Sequence, residues 1–250
     1  MLEINRHDAI AILNLKHGPA NAMDLEFVRA VGDAFKELDA DDCSAVVMTG
    51  QGKIFSAGVD LPRLLEGGVE YVRQFLPALD DMIESAFFCR KPVIAALNGH
   101  AIAGGCLLAC TADRTLMAAG KGRIGVPELR VGVPFPISAM EIMRSKLPAN
   151  TFETIMTGGA TYTPEMALEQ GLINKIVDAD QLLEKAMAVA EDLGSIGREA
   201  FAVTKTHARQ PARQAMAVAY EQFGDEVNRV WQAESTHAAI RDFVAKTLKK

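Results

Sequence analysis

Three segments of this chain hold residues whose types and spacing could do chemistry. In Ile124-Gly125-Val126-Pro127-Glu128-Leu129-Arg130-Val131-Gly132-Val133-Pro134-Phe135-Pro136 a single acid, Glu128, stands among glycines, prolines and apolar side chains. Desolvation in such a setting disfavours the anion and raises the pKa, which suits a carboxyl group to proton transfer at neutral pH. An ion pair between Glu128 and Arg130, or a helix-capping carboxylate, fits the same residues. In Asn98-Gly99-His100-Ala101-Ile102-Ala103-Gly104-Gly105-Cys106-Leu107-Leu108-Ala109 a glycine-rich turn opens an apolar run. Unpaired N–H groups at such a helix start are a seat for developing negative charge. The spacing matches neither GxGxxG nor GxxxxGK[ST], so a nucleotide cradle is not indicated. In Ile54-Phe55-Ser56-Ala57-Gly58-Val59-Asp60-Leu61 small residues let a ligand approach the backbone closely, although an ordinary structural turn has the same makeup.

The elements that must position these segments follow from hydrophobic period. Residues 1–15 alternate as two short strands joined near His7-Asp8, and 24–39 carries Leu25, Val28, Val31, Phe35 and Leu38 at helical steps behind Asp24. The apolar runs 45–49 and 92–97 read as buried strands that deliver the chain into the segments 54–61 and 98–109 respectively. Between them, Val69 to Phe88 reads as a helix interrupted at Pro77, preceded by a flexible Gly67-Gly68 loop or plain turn. Gly105–Thr111 reads as a short helix and Thr115–Ala118 as another strand, so strands alternate with helices as in an α/β core. From Ile137 the pattern becomes helical over 137–146, 149–157, 164–170, 180–193, 198–208, 212–230 and 232–247, with one strand at Leu172–Val177. The expected division is a core over 1–190 and a helical region over 191–250.

Composition narrows the partners. The chain has 250 residues, 49% of them hydrophobic and 23% charged, as in an ordinary globular protein. A net charge of -6 argues against general affinity for nucleic acid or anionic membrane. Cys43, Cys89, Cys106 and Cys110 form no CxxC pair, so no metal is expected, and they read as buried thiols of a reducing compartment. The first residues lack a basic leader and the last are not an SKL-type address; with no apolar run near 18–20 residues, a cytoplasmic protein is expected.

In order and approximate spacing, FSAGVDL, NGHAIAGGC and GVPELRVGVPFP resemble the two oxyanion-hole loops and the acid segment of the crotonase, or enoyl-CoA hydratase/isomerase, superfamily. The resemblance runs from the first strands to the last helix. It implies an α/β fold, the crotonase-type spiral of ββα units followed by a C-terminal helical trimerisation region, and therefore a homotrimer or hexamer. It also implies that the backbone N–H groups of Val59 and Gly104 hold a thioester oxygen and that Glu128 is catalytic. Ala20, Ala57, Asp60 and Leu61 would line the coenzyme A channel. Phe243 and Lys246, in Asp242-Phe243-Val244-Ala245-Lys246, would reach the ligand of a neighbouring subunit. No cofactor is implied, because coenzyme A is part of the acyl-CoA substrate. Lys16 and Arg63 are further candidates for its anionic end, and His100 is expected to pack.

Hydratases of the superfamily use a second glutamate, at the position that is Leu107 here. Adding water normally shares its proton steps between two acids, whereas moving a proton from C2 to C4 needs one. The surrounding LKHGPANAMD, FSAGVDL and AGGCLLA resemble Δ3,Δ2-enoyl-CoA isomerases of the mitochondrial type. Pro136 stands where the dienoyl-CoA isomerases have an aspartate. The resemblance thus implies an isomerase of fatty-acid metabolism whose acyl pocket involves Leu64, Leu107 and Phe135. Two rival readings are a hydratase working with Glu128 alone or borrowing an acid such as Glu66 or Glu70 from a mobile loop, and a catalytically silent subunit that binds coenzyme A esters.

Overall fold

In the computed structural model, which describes residues 1–247, the chain opens with a hairpin. β1 (Leu2–His7) pairs antiparallel with β2 (Ile10–Leu15) around Asp8, whose φ of 50° makes the tight reversal. The short β3 (Ala22–Met23) leads to α1 (Leu25–Ala40), whose first turn is capped by the Asp24 carboxylate accepting from the N–H of Phe27. Then the same unit recurs. β4 (Ala45–Thr49), β5 (Ile54–Ser56) and β6 (Gly58–Val59) precede α2 (Leu61–Phe88); β7 (Val93–Leu97) and β8 (His100–Ile102) precede α3 (Gly104–Cys110); β9 (Arg114–Ala118) and β10 (Ile124–Gly125) precede α4 (Glu128–Val131). There follow α5 (Ile137–Lys146), α6 (Ala149–Gly158), β11 (Thr161–Tyr162), α7 (Pro164–Glu169), β12 (Lys175–Val177), α8 (Leu182–Gly194), α9 (Arg198–Gln232) and α10 (Glu234–Thr247).

The repeat places the first strand of each unit in one sheet and the second in another. β1-β2-β4-β7-β9-β12 form a sheet that is parallel apart from its first pair, while β11-β10-β8-β5 form a second and β3-β6 a third. This is a spiral of ββα turns. The central strands β4 and β7 of the main sheet are buried on both faces, which is why 45–49 and 93–97 are continuous apolar runs. Val46 and Met48 join the large core beneath α1 and α2, while Ala45 and Val47 pack with Leu182, Ala186 and Ala190 of α8. Trp231 of α9 and Ile240 of α10 belong to the large core as well.

Two proline expectations are corrected. α2 starts at Leu61, breaks at Gly68 (φ 61°, ψ -154°), where a turn was expected before Val69, and then continues through Pro77. α9 likewise runs unbroken through Pro211, where two helices were expected. An internal proline costs about 3 kcal/mol in an isolated helix. Here Phe75, Leu76 and Leu79 are buried around one proline, and Arg209, Ala212 and Met216 around the other, so tertiary packing overrides the local preference. The strand expected over 172–177 is confined to its last three residues. No described helix is long and apolar enough to cross a membrane.

Candidate active site

The polar network under the 54–61 loop explains how that loop is held. Asn21, at φ 46°, donates through Nδ2 to the Phe55 carbonyl (2.9 Å), and the Ser56 hydroxyl donates to the Asn21 carbonyl (2.8 Å). His17 Nε2 lies 2.6 Å from the Asp24 carboxylate, and its ring stacks on Phe27. β3 is thereby fixed beside β6, with Met23 opposite Val59 and the Met23 carbonyl accepting from the N–H of Asp60 at 3.0 Å. In a parallel ladder one member of each pair makes both bonds to the residues flanking its partner. That member is Met23, so the N–H of Val59 points away from β3.

Gly104 begins α3, so its N–H lacks an intrahelical acceptor. The two turns meet through glycine. A Cβ on Gly58, which has φ 83°, would stand 2.7 Å from the Ile102 carbonyl and 3.1 Å from the Gly104 nitrogen. A Cβ on Gly104 would stand 2.7 Å from Met23 Sδ. Ala103, between them, has φ 52° and ψ -125°, a conformation that is strained for a residue with a side chain. It is held by its N–H bond to the Gly125 carbonyl (2.8 Å) and by its own carbonyl, which accepts from Leu107 (3.0 Å). The same glycine proximity sets the turn before Val59 against the nitrogen of Gly104.

Glu128 enters the same space from the first residue of α4 and is only 6% exposed. Its Oε2 is buried and has no hydrogen-bond partner among the described residues. The Arg130 pairing left open by the sequence does not occur, because Arg130 turns outward and donates to the Gly158 carbonyl at 3.0 Å. Desolvation pushes the Glu128 pKa up to about 8. The cavity before it has a volume of about 90 Å³, and Leu107, Val131, Val133, Pro136, Trp231 and Phe243 supply much of its wall. Leu107 is 2% exposed and places an isobutyl group on that wall. Such a lining offers one carboxyl group, that of Glu128, in a wall that is otherwise largely apolar and includes Val59 and Gly104.

Of the other expected residues, Ala57, Val59, Leu61 and Gly104 line the cavity, and Phe243, expected to reach the ligand of a neighbouring subunit, instead lines the cavity of its own chain. Ala20 stands behind it, accepting from the N–H of Ala57 at 3.0 Å. Asp60 caps α2, accepting from the N–H of Arg63 at 3.0 Å. Lys246 is exposed on the last turn of α10 and is not part of the lining. Lys16 is paired with Glu3, and Arg63 lies over the Tyr71 ring. His100 is half-buried outside the lining. Glu66 and Glu70 are exposed beside Arg63 (3.9 Å) and Arg73 (3.6 Å), so neither supplies a second acid to the cavity. Two acyl-pocket expectations are corrected. Leu64 is buried behind the lining, and Phe135 faces a groove between α5 and α9. Leu79 and Trp231 were missed. Trp231 is the chain's single tryptophan, and its indole N–H donates to the Pro134 carbonyl at 3.0 Å.

The family model for enoyl-CoA hydratase/isomerase matches residues 5–248. The chain belongs to this, the crotonase, family. A probable enoyl-CoA hydratase, EchA8 of Mycobacterium leprae, is 32% identical over 209 residues, which cover 81% of this chain and 78% of the relative. A Mycobacterium tuberculosis protein, 29% identical, is described in one crystal structure as the probable enoyl-CoA hydratase EchA3 (TM-score 0.84, 91% of this chain and 96% of that one). In an apo structure it is described as an enoyl-CoA isomerase (TM-score 0.80, 90% and 98%). Human mitochondrial Δ3-Δ2-enoyl-CoA isomerase shares the fold, with a TM-score of 0.92 over 99% of this chain and 98% of that one at 21% identity. The crotonase fold expected from the three segments is thus present.

Proposed function

We propose that this chain isomerises 3-enoyl-CoA to 2-enoyl-CoA within fatty-acid metabolism. Glu128, as the carboxylate, removes a proton from C2. The electron pair moves into the thioester, and the resulting dienolate oxygen is held by the N–H groups of Val59 and Gly104. The C2=C3 double bond forms as Glu128 returns the proton to C4. The two donors meet charge that exists only along the reaction, a contribution of about 3–4 kcal/mol for each in comparable sites.

The observation that carries this reading is the pairing of an unpartnered Glu128 with Leu107 in one apolar cavity. Hydration would need water positioned and activated at C3, and among the described residues no second carboxylate lines that wall. The names of several relatives favour a hydratase, so the two reactions should be measured directly. Purified protein is expected to convert 3-enoyl-CoA rapidly and to hydrate 2-enoyl-CoA slowly; fast formation of 3-hydroxyacyl-CoA would overturn the isomerase reading. Equal acyl-CoA binding by wild type and Glu128→Gln, with no turnover by either, would favour a silent binding subunit.

Coenzyme A would enter past Ala57 and Leu61, with Ala20 and Asp60 holding the loop behind them. Phe243 serves the acyl end within its own subunit. Lys246, being exposed, is available to the phosphates of coenzyme A bound to a neighbouring copy in a homotrimer or hexamer. A cytoplasmic location accords with this substrate.

A further inference from the structure

At the other end of α3 from Gly104 lies a cavity of about 340 Å³ whose charged lining is four cations, Arg114, Lys146, Lys205 and Arg209, against a single carboxylate, Asp113. Asp113 is already engaged. It accepts from Arg209 at 2.6 Å, from the N–H of Val93 at 2.8 Å, and from Lys205. Its one charge is spread over the two α9 cations, which leaves Lys146 and Arg114 without a carboxylate partner in the cavity among the described residues.

Several donors remain uncommitted. The Lys146 ammonium gives one hydrogen to the Ala112 carbonyl (2.5 Å) and Arg114 gives one to the Asp113 carbonyl (2.8 Å). An ammonium has three donors and a guanidinium five. Holding like charges together in a recess is unfavourable: burial first, then the neighbouring Arg209, push the Lys146 pKa down. A polyvalent anion reverses that penalty. Phosphate oxygens match both a guanidinium fork and ammonium point charges.

We propose that this cavity is a binding site for a compact, multiply charged phosphate, of diphosphate rather than single-phosphate size, distinct from the acyl-CoA cavity. α3 spans seven residues, or roughly 10 Å at 1.5 Å each, and separates the two cavities. An occupant here therefore leaves the acyl-CoA site free, and the assignment stands whether the reaction is isomerisation or hydration.

Isothermal titration of the full chain with inorganic pyrophosphate at pH 7 and low salt tests it. One site is expected, with a dissociation constant of about 1 mM or tighter, unaffected by saturating coenzyme A. Orthophosphate and a sugar monophosphate, titrated separately, should bind more weakly. Lys146→Met should weaken pyrophosphate binding at least about tenfold, and the exposed Arg114→Gln, which leaves the Asp113 cluster in place, about threefold; circular dichroism checks that both remain folded. No binding at about 10 mM pyrophosphate, or unchanged affinity in both variants, would overturn the proposal. So would displacement by coenzyme A, which would place the pyrophosphate in the acyl-CoA site.

Discussion

Two acids in this chain, the half-buried Asp113 and the buried Glu128, are treated in opposite ways. Asp113 is met by Lys205, Arg209 and a backbone N–H, whereas Glu128 has an oxygen with no partner among the described residues. Both lie against helices that close the core, and Lys205 and Arg209 are about as buried as Glu128 (7%, 8% and 6% exposed). Burial alone therefore does not make a group reactive. A carboxylate given partners braces the fold as a fixed anion. One denied them keeps its proton near neutrality and is available to exchange it.

Breaking the unpartnered site should produce the largest change. Glu128→Gln is expected to lower isomerase kcat by about 10³–10⁴, the upper part of the range for a general base, with little change in acyl-CoA affinity. Its effect on stability should have the opposite sign. The folded pKa of about 8 lies above the ordinary 4.5, so the folded chain retains a proton that the unfolded chain releases. The stability linked to that proton is complete below pH 4.5, declines as pH rises, and is gone above about pH 8. At pH 7 the deficit is roughly 3 kcal/mol at 1.36 kcal/mol per pKa unit. Thermal melts should place Glu128→Gln above wild type at pH 8 and level with it near pH 4; a gap that does not change with pH would contradict the isolated-carboxyl description. In the wild type, kcat/KM should rise with pH toward about 8, because the attacking form is the carboxylate.

Breaking the partnered site should harm the fold instead. Asp113→Ala leaves Lys205 and Arg209 buried without their counter-ion, for which a loss of roughly 3–5 kcal/mol is expected. Urea denaturation would register it as a lower midpoint. If the folded fraction kept near-normal turnover per molecule, the two acids would be separated as reactive and structural.

This contrast was only half legible from the residues. Glu128 declared itself because its neighbours in sequence, Pro127, Val131 and Val133, are also its surroundings in space, and the glycines that bring two loops together lie within those loops. The core strands 45–49 and 93–97 were legible for the same reason: a strand buried on both faces must be apolar throughout. The strands of the smaller sheets run for only two or three residues, too few for any period to emerge. The Asp113 cluster joins residues 92 and 96 positions apart, and Trp231 reaches the cavity only because α9 passes Pro211 without breaking. No local pattern contains either.

A smaller effect should come from the turn that gathers the donors. Gly58→Ala places a methyl group against the Ile102 carbonyl in a left-handed conformation, a strain of about 1–3 kcal/mol. Because the Gly104 nitrogen is also close to that Cβ position, relief of the clash must separate the two turns. Acyl-CoA affinity should then fall less than kcat. A proportionate fall in both would assign Gly58 to ground-state binding rather than to charge that develops in the reaction.

The smallest change sharpens the comparison from the wall of the cavity. Trp231 is 2% exposed and is oriented by one hydrogen bond, from its indole nitrogen to the Pro134 carbonyl. Trp231→Phe removes that donor while keeping an aromatic ring, so a stability loss of about 1 kcal/mol is expected from an unmade hydrogen bond together with a small void. The vacated volume adjoins the recess that desolvates Glu128. If water enters it, the penalty on the carboxylate falls and the kcat/KM profile shifts to lower pH, though neither partner nor charge has changed. A profile that stayed in place while stability fell would mean that Trp231 packs the far wall without governing solvent access. In that case Leu107 and the α4 segment would be what keeps Glu128 dry.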